Sequence, residues 1–460
     1  MRNIDRPLTE ARIEAYPEYK WLALILPAAY LLSPKIEVAG IGFRAGDLVL
    51  WAAIFLCLLP VAYERVIRPY VLDMAFVLVG VSMAVSFVAV LVLDPGSIGV
   101  RDLFEFPKVF LYWCVYRVGV TMLWDRRDLG RLVRIGVVGS SVVSLIGLLQ
   151  SMNALAVNEW LTPNYASGHH IYKLMTIGRI VGTFESPNYT GLFLAIMIIA
   201  GFLVLAKALF ERREGASDSR RLRLTGLWLL LVMTAFMLAA SRTSLLALML
   251  VLPVLMVLFV RKRPRGPSRR HARVAVAQAT LALVVLAGAG QLIGSNLPKI
   301  EGARSLDLVA RLDIGLEQAF GDLPDTSSSM YERLLRWSVA FDRWEERPIL
   351  GWGTAKGTES VADRPPTDNE YLRYMERYGL LGLFAYLLFF YALMREAFVR
   401  ARSAPLESGL FTPLDLAWLN LGIGGTMLFF NLMAGAYYNL QIFPIVLFLH
   451  GFMVSLFWKD

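Results

Sequence analysis

Three short stretches hold the side chains best suited to chemistry. Residues 179–188 read Arg-Ile-Val-Gly-Thr-Phe-Glu-Ser-Pro-Asn and lead into an apolar run. Pro187 and Asn188 fit a helix entry, which accounts for the proline but not for Arg179 and Glu185 at the mouth of a bundle. Ser241-Arg242-Thr243 lies between two apolar runs of about seventeen residues each, with hardly any loop, so Arg242 sits at or just inside a membrane interface. An arginine there is costly unless it snorkels or meets a partner. The third stretch is Thr367-Asp368-Asn369-Glu370-Tyr371, upstream of Gly379-Leu-Leu-Gly382. Thr367 with Glu370 fits a capping box, and Asp368 and Asn369 would then project from the first helical turn. Guanidinium groups bind phosphate oxygens through a planar, permanently charged fork. A carboxylate such as Asp368 can act as a proton acceptor if partial burial raises its pKa, or serve only to bind a ligand by hydrogen bonds.

The elements that must position these residues are apolar. The chain has 460 residues, 57% hydrophobic and only 18% charged. That composition, broken into many separate runs long enough to span a bilayer, predicts an all-α polytopic integral membrane protein of about twelve transmembrane helices. The runs cover 21–33, 46–62, 71–93, 104–123, 133–152, 189–209, 224–240, 243–260, 274–293, 379–397, 414–435 and 439–457. No small-residue cleavage site follows the first run, which therefore reads as a retained helix. The net charge of +9 lies in short links between runs, so it argues for cytoplasmic loops and against a nucleic-acid partner. Arg126, Arg127, Arg131 and Arg134, the cluster from Arg261 to Arg273, and Arg400 and Arg402 fall on one side. The opposite short links hold only Lys35, Arg44, Arg101, Lys173, Arg179 and Arg242. This bias predicts an inner-membrane, multi-pass protein with both termini cytoplasmic. Cys57 and Cys114 fall inside predicted spans and read as small apolar fillers. None of the four His residues has metal-ligand spacing, and adjacent His169 and His170 should point apart.

Three regions follow: an N-terminal bundle of about nine helices over 1–293, a large periplasmic loop over 294–378, and about three C-terminal helices over 379–460. A loop of about 85 residues is far longer than a connection requires. Within it, Leu334, Trp337, Phe341 and Trp344 recur at helical spacing beside a stripe of Arg333, Arg336, Arg343 and Arg347. A helix with adjoining aromatic and basic faces suits the outer membrane–water interface; the alternative is a loop subdomain whose arginines are merely solvated.

Taken together, these motifs resemble the O-antigen ligase and polymerase (Wzy/WaaL-like) superfamily of bacterial surface-polysaccharide assembly. The resemblance covers about residues 180–390. It rests on Gly182, Thr183, Phe184, Pro187 and Asn188; on Ser241, Arg242 and Thr243; on Arg333 and Trp337 followed by Pro348, Gly351 and Gly353; and on Asn369, Gly379 and Gly382. One position departs from the pattern: Asp368 stands where the ligases carry a histidine thought to activate the acceptor hydroxyl, which looks more like the polymerase members.

The resemblance implies a GT-C-like architecture and a donor glycan on undecaprenyl pyrophosphate, with membrane lipid around it and a flippase and chain-length regulator as partners. It implies Asp368, Arg242 and Arg333 as catalytic residues and Arg179, Arg336, Asn369, Glu185 and Tyr371 as substrate-binding ones. With arginines to hold the leaving diphosphate and no Asp-x-Asp or metal cluster on the outer side, no cofactor or metal is expected. Polymerase, ligase and protein oligosaccharyltransferase share this donor and differ in acceptor. A transporter would be expected to show paired interrupted helices in its two halves, which the spans lack.

Overall fold

A computed structural model describes residues 17–38, 41–58, 70–95, 100–103, 105–122, 124–213, 219–263, 266–296, 329–354, 367–407, 409–435, 439 and 441–457. Every one of the twelve apolar runs carries a helix. They are α1 (Pro17–Leu32), α2 (Ala45–Ala53, continued by a π turn over Ile54–Leu58), α3 (Val71–Leu93), α4 (Glu105–Thr121) and α5 (Arg126–Met152). A short helix α6 (Gly168–Ile177) precedes α7 (Pro187–Arg213), α8 (Ser219–Ala239), α9 (Arg242–Arg261) and α10 (Pro267–Asn296). The described part of the long loop forms α11 (Ser329–Glu346), and α12 (Glu370–Ser403), α13 (Pro413–Phe430) and α14 (Ile442–Leu456) complete the chain. Among the described residues, seven helices are long and apolar enough to cross a membrane. The protein is thus a multi-pass helical membrane protein. The link after α1 folds into an antiparallel hairpin, β1 (Lys35–Val38) with β2 (Ile41–Arg44), and Lys35 pairs with Arg44.

Helix ends follow local chemistry more closely than hydropathy does. α5 begins at Arg126, well before the apolar run at 133, because the Asp125 carboxylate accepts from the amides of Arg127 and Asp128 and satisfies orphan donors. Thr412 caps α13 in the same way, in a capping box with Asp415.

Burial identifies the centre of the bundle. In α7, 78% of the apolar stretch is buried, against 22% in α10, so α7 is the axis and α10 faces lipid. α8, α10 and α13 pack on α7; α12 packs on α3 and α13, and α11 lies on α12. In lipid, helices associate through close packing and not through a hydrophobic drive, which favours small residues at contacts. Gly119 of α4 and Gly451 of α14 show this: a side chain on either would overlap the other helix's backbone. Cys114 is buried and free in the same region, as a small apolar filler would be.

Candidate active site

The Gly-Thr-Phe segment before α7 is wired by buried amides. Gln150 of α5 receives the backbone N–H groups of Val181 (3.1 Å) and Gly182 (2.8 Å) and donates to the Gly182 carbonyl. Gln441 donates to the Thr183 carbonyl at 2.8 Å, and the Thr183 hydroxyl donates to the Leu31 carbonyl. The segment is a fixed platform because each of these groups would be costly to bury alone. From it, Arg179 donates to the Asn188 side-chain oxygen (3.1 Å) and to the Ala239 carbonyl at the end of α8. Glu185 is exposed and feels the charge of buried Arg44 in the hairpin. Burial pulls the Arg44 guanidinium below its ordinary value, and Glu185 and Asp47 act against that.

The Ser-Arg-Thr turn meets this platform directly. Ala240, at φ 48°, reverses the chain in one left-handed residue, which explains how α8 and α9 join without a loop. Ser241 then caps α9 by accepting from the Ser244 amide, and its hydroxyl lies 3.5 Å from the Asn188 oxygen that Arg179 holds. Arg242, the first residue of α9, is half-buried and lies close enough to Arg333 for the two positive charges to repel.

The described part of the long loop closes over the same end. Arg333 Nε and Arg336 Nη1 of α11 approach the Asp368 carboxylate at 3.4 and 3.6 Å. Arg343 pairs with Glu376 at 2.6 Å, and Arg347 lies 3.8 Å from the Trp352 ring centre. All four arginines of the predicted stripe thus engage the protein instead of being merely solvated. The Pro-x-x-Gly-x-Gly turn docks on a break in α12 at Gly379, where Leu380 donates to the Pro348 carbonyl at 2.8 Å. Gly379 (φ 64°, ψ −163°) adopts a backbone that is essentially restricted to glycine, and Gly351 (φ 69°) touches the Arg377 and Gly379 backbones. The two glycine patterns are therefore two sides of one backbone-to-backbone contact.

Two expectations are corrected here. The cap of α12 is Asn369, not Thr367: the Asn369 oxygen accepts from the amides of Tyr371 (2.9 Å) and Leu372 (3.2 Å), an arrangement shorter than the anticipated box. Only Asp368 of the Asp-Asn pair is left to face the arginines. Second, His169 and His170 do not point apart; their rings lie 5.3 Å from one another at the start of α6, where only the first turn constrains them. Tyr371, expected among the substrate-binding residues, is half-buried, donates to the Leu428 carbonyl at 2.6 Å and packs edge-on against Tyr386. Sequence reasoning missed Tyr189, whose hydroxyl donates to the Gly435 carbonyl at 2.9 Å within range of the charges on Glu185, Asp368, Glu370 and Arg373. Its place directly after Pro187-Asn188 is the signal that was there to read.

Arg179, Arg242, Arg333, Arg336 and Asp368 thus gather at one end of α7 and α9, under α11. Residues 225–387 match the family model described as O-antigen ligase. The chain carries an O-antigen ligase family domain. That domain runs from α8 into α12, so it includes the Ser-Arg-Thr turn, α11 and Asp368, while Arg179, Glu185 and Asn188 precede it. With the multi-pass fold, the match supports the O-antigen ligase and polymerase superfamily. None of the curated proteins compared with the chain matches it.

Proposed function

We propose that the protein is a polysaccharide polymerase that transfers glycan from undecaprenyl pyrophosphate to a growing lipid-linked chain at the periplasmic face of the inner membrane. One observation carries the reading: Asp368 sits between Arg333 and Arg336, with Arg242 within electrostatic range of Arg333. Three guanidiniums and one carboxylate are what a lipid-diphosphate transfer requires. The arginines bind the leaving diphosphate, and the carboxylate handles the incoming alcohol.

In this mechanism Asp368 is the resident counter-ion of Arg333 and Arg336 until a donor arrives. The diphosphate replaces it on the arginines and frees the carboxylate to turn to the acceptor. The acceptor oxygen then attacks the anomeric carbon, and its proton passes to Asp368. The bond from that carbon to the diphosphate oxygen breaks, its electron pair leaving on the lipid diphosphate. Fixed cations stabilise the charge that develops there, so the step needs no metal. A flippase would deliver the donor and a chain-length regulator would set product length.

Asp368 at the position of the ligase histidine favours polymerase. The family description favours a second reading, transfer of finished glycan to another acceptor by a ligase or protein oligosaccharyltransferase. Deletion of the gene followed by gel analysis of the surface glycan separates them. Loss of long chains with single repeats retained supports polymerase; accumulated full-length lipid-linked polymer supports the second reading. Unchanged glycan rejects both.

A further inference from the structure

Glu370 is wholly buried at the first turn of α12, with no solvent-exposed surface. One carboxylate oxygen pairs with Arg373 at 3.1 Å, and the other, Oε1, is buried without a hydrogen-bond partner. The charges of Lys108 and Arg377 also bear on it. A buried carboxylate with a half-satisfied shell is expensive, and a cap for α12 is already supplied by Asn369. Capping therefore does not account for it, and a charge favoured at a helix N-terminus does not need complete burial.

Its contacts lead to Asp368. Arg373, held by Glu370, donates through its other nitrogen to the carbonyl of Thr367, the residue just before Asp368. On the other side, the Glu370 amide donates to the Asn431 carbonyl at 2.9 Å. Gly435 lies so close that any side chain there would overlap the Glu370 carboxylate, and its carbonyl receives the Tyr189 hydroxyl. The chain on either side of Asp368 is thus pinned, by Arg373 at 367 and by the Asn369 cap, and Glu370 anchors the first pin to the link between α13 and α14.

We infer that Glu370 is a positioning residue: through Arg373 it fixes the 367–369 backbone so that the Asp368 carboxylate meets Arg333 and Arg336 and, in turnover, the acceptor. This rests on the transfer reaction proposed above. It differs from assigning Glu370 to catalysis, since its carboxylate touches no solvent-accessible space.

The test combines two readouts on detergent-purified full-length protein. In glycan transfer with lipid-pyrophosphate donor, Glu370→Gln should lower kcat at least tenfold without raising the donor KM, because the diphosphate arginines remain and lose only a competing counter-ion. Arg373→Lys should do the same, and the double variant should be no worse than either single, as expected of residues acting as a unit. Should Glu370→Gln fail to accumulate, Arg373→Lys alone decides. The second readout needs no turnover. Asp368→Cys is labelled with a maleimide, with and without Glu370→Gln, and the labelling rate should change severalfold when the anchor is lost. A kcat within threefold of wild type in both single variants, or an unchanged labelling rate, overturns the inference. If the unmodified protein transfers no glycan, the transfer reading falls, and the labelling rate alone still decides whether Glu370 positions residue 368.

Discussion

Arg242, Arg333 and Asp368 divide the proposed chemistry between charge and proton transfer, and their variants should differ accordingly. Arg242→Ala or Arg333→Ala should lower glycan transfer about 10²–10³-fold, on the order of 2–4 kcal/mol, comparable to removing one donor that stabilises transition-state charge. Wild-type polymer length from either variant, at normal expression, would refute that arginine's role. Asp368→Ala should abolish long chains, and Asp368→His asks whether the ligase-type residue supports transfer on this scaffold. A different residue sets a pH limit. Burial, with Lys173, His169 and Arg179 nearby, pushes the His170 pKa down from 6.5 to about 4. The folded chain thus keeps His170 neutral where an unfolded one would take a proton, so its effect on stability is nil above pH 6.5 and grows unfavourable as pH falls from 6.5 toward 4. Hydrogen exchange over 168–180, corrected for intrinsic rates, should be faster at pH 5.5 than at 7.5, and His170→Asn should remove the difference. Equal protection at both pH values in the unmodified protein would contradict this.

The elements around the site explain which parts of it are legible in sequence. The helical spacing of Trp337, Phe341 and Trp344 predicts α11 because a period of 3.6 shows in the chain itself. The basic stripe beside it is equally readable, but not its partners, since Asp368 and Glu376 lie more than thirty positions away from Arg333 and Arg343. The glycines at 351 and 379 are readable as a pattern only; their shared contact requires the fold. Replacing Gly379 with Ala forces a side chain into a backbone conformation that costs about 1–3 kcal/mol, and it also collides with the Ile349 carbonyl. Gly379→Ala and Gly351→Ala should each lower the thermal midpoint of the purified protein by several degrees, whereas Gly226→Ala, with open space around it, should not. Asn369 and Thr367 show the opposite failure: both are good caps by type, and only geometry decides between them.

At the scale of the whole molecule, the helices are the legible part: a bilayer demands long apolar stretches, and each apolar run carries a helix, seven of which, among the described residues, are long and apolar enough to cross. The polar ties between them are not. Lys207 of α7 pairs with Asp415 of α13 at 2.8 Å, both buried and 208 positions apart, about 30 Å along α7 from Pro187 at the site end. Asp73 with Arg117 (3.1 Å) and Glu396 with His450 (3.1 Å) join α3 to α4 and α12 to α14. Such pairs hold helices in register where lipid supplies no drive. Lys207→Met should cost about 3–5 kcal/mol by leaving the Asp415 charge buried and unpaired, and adding Asp415→Asn, which removes that charge and keeps an acceptor for Thr412, should recover part of the loss in thermal unfolding. The central claim is that the gathered guanidiniums hold a lipid diphosphate. It is tested most directly by titrating the protein in lipid nanodiscs with undecaprenyl pyrophosphate and with undecaprenyl monophosphate. The account predicts that the diphosphate binds at least tenfold more tightly and that Arg242→Ala and Arg333→Ala each erase that preference; equal affinity for the two lipids, or a preference that survives both substitutions, would contradict it.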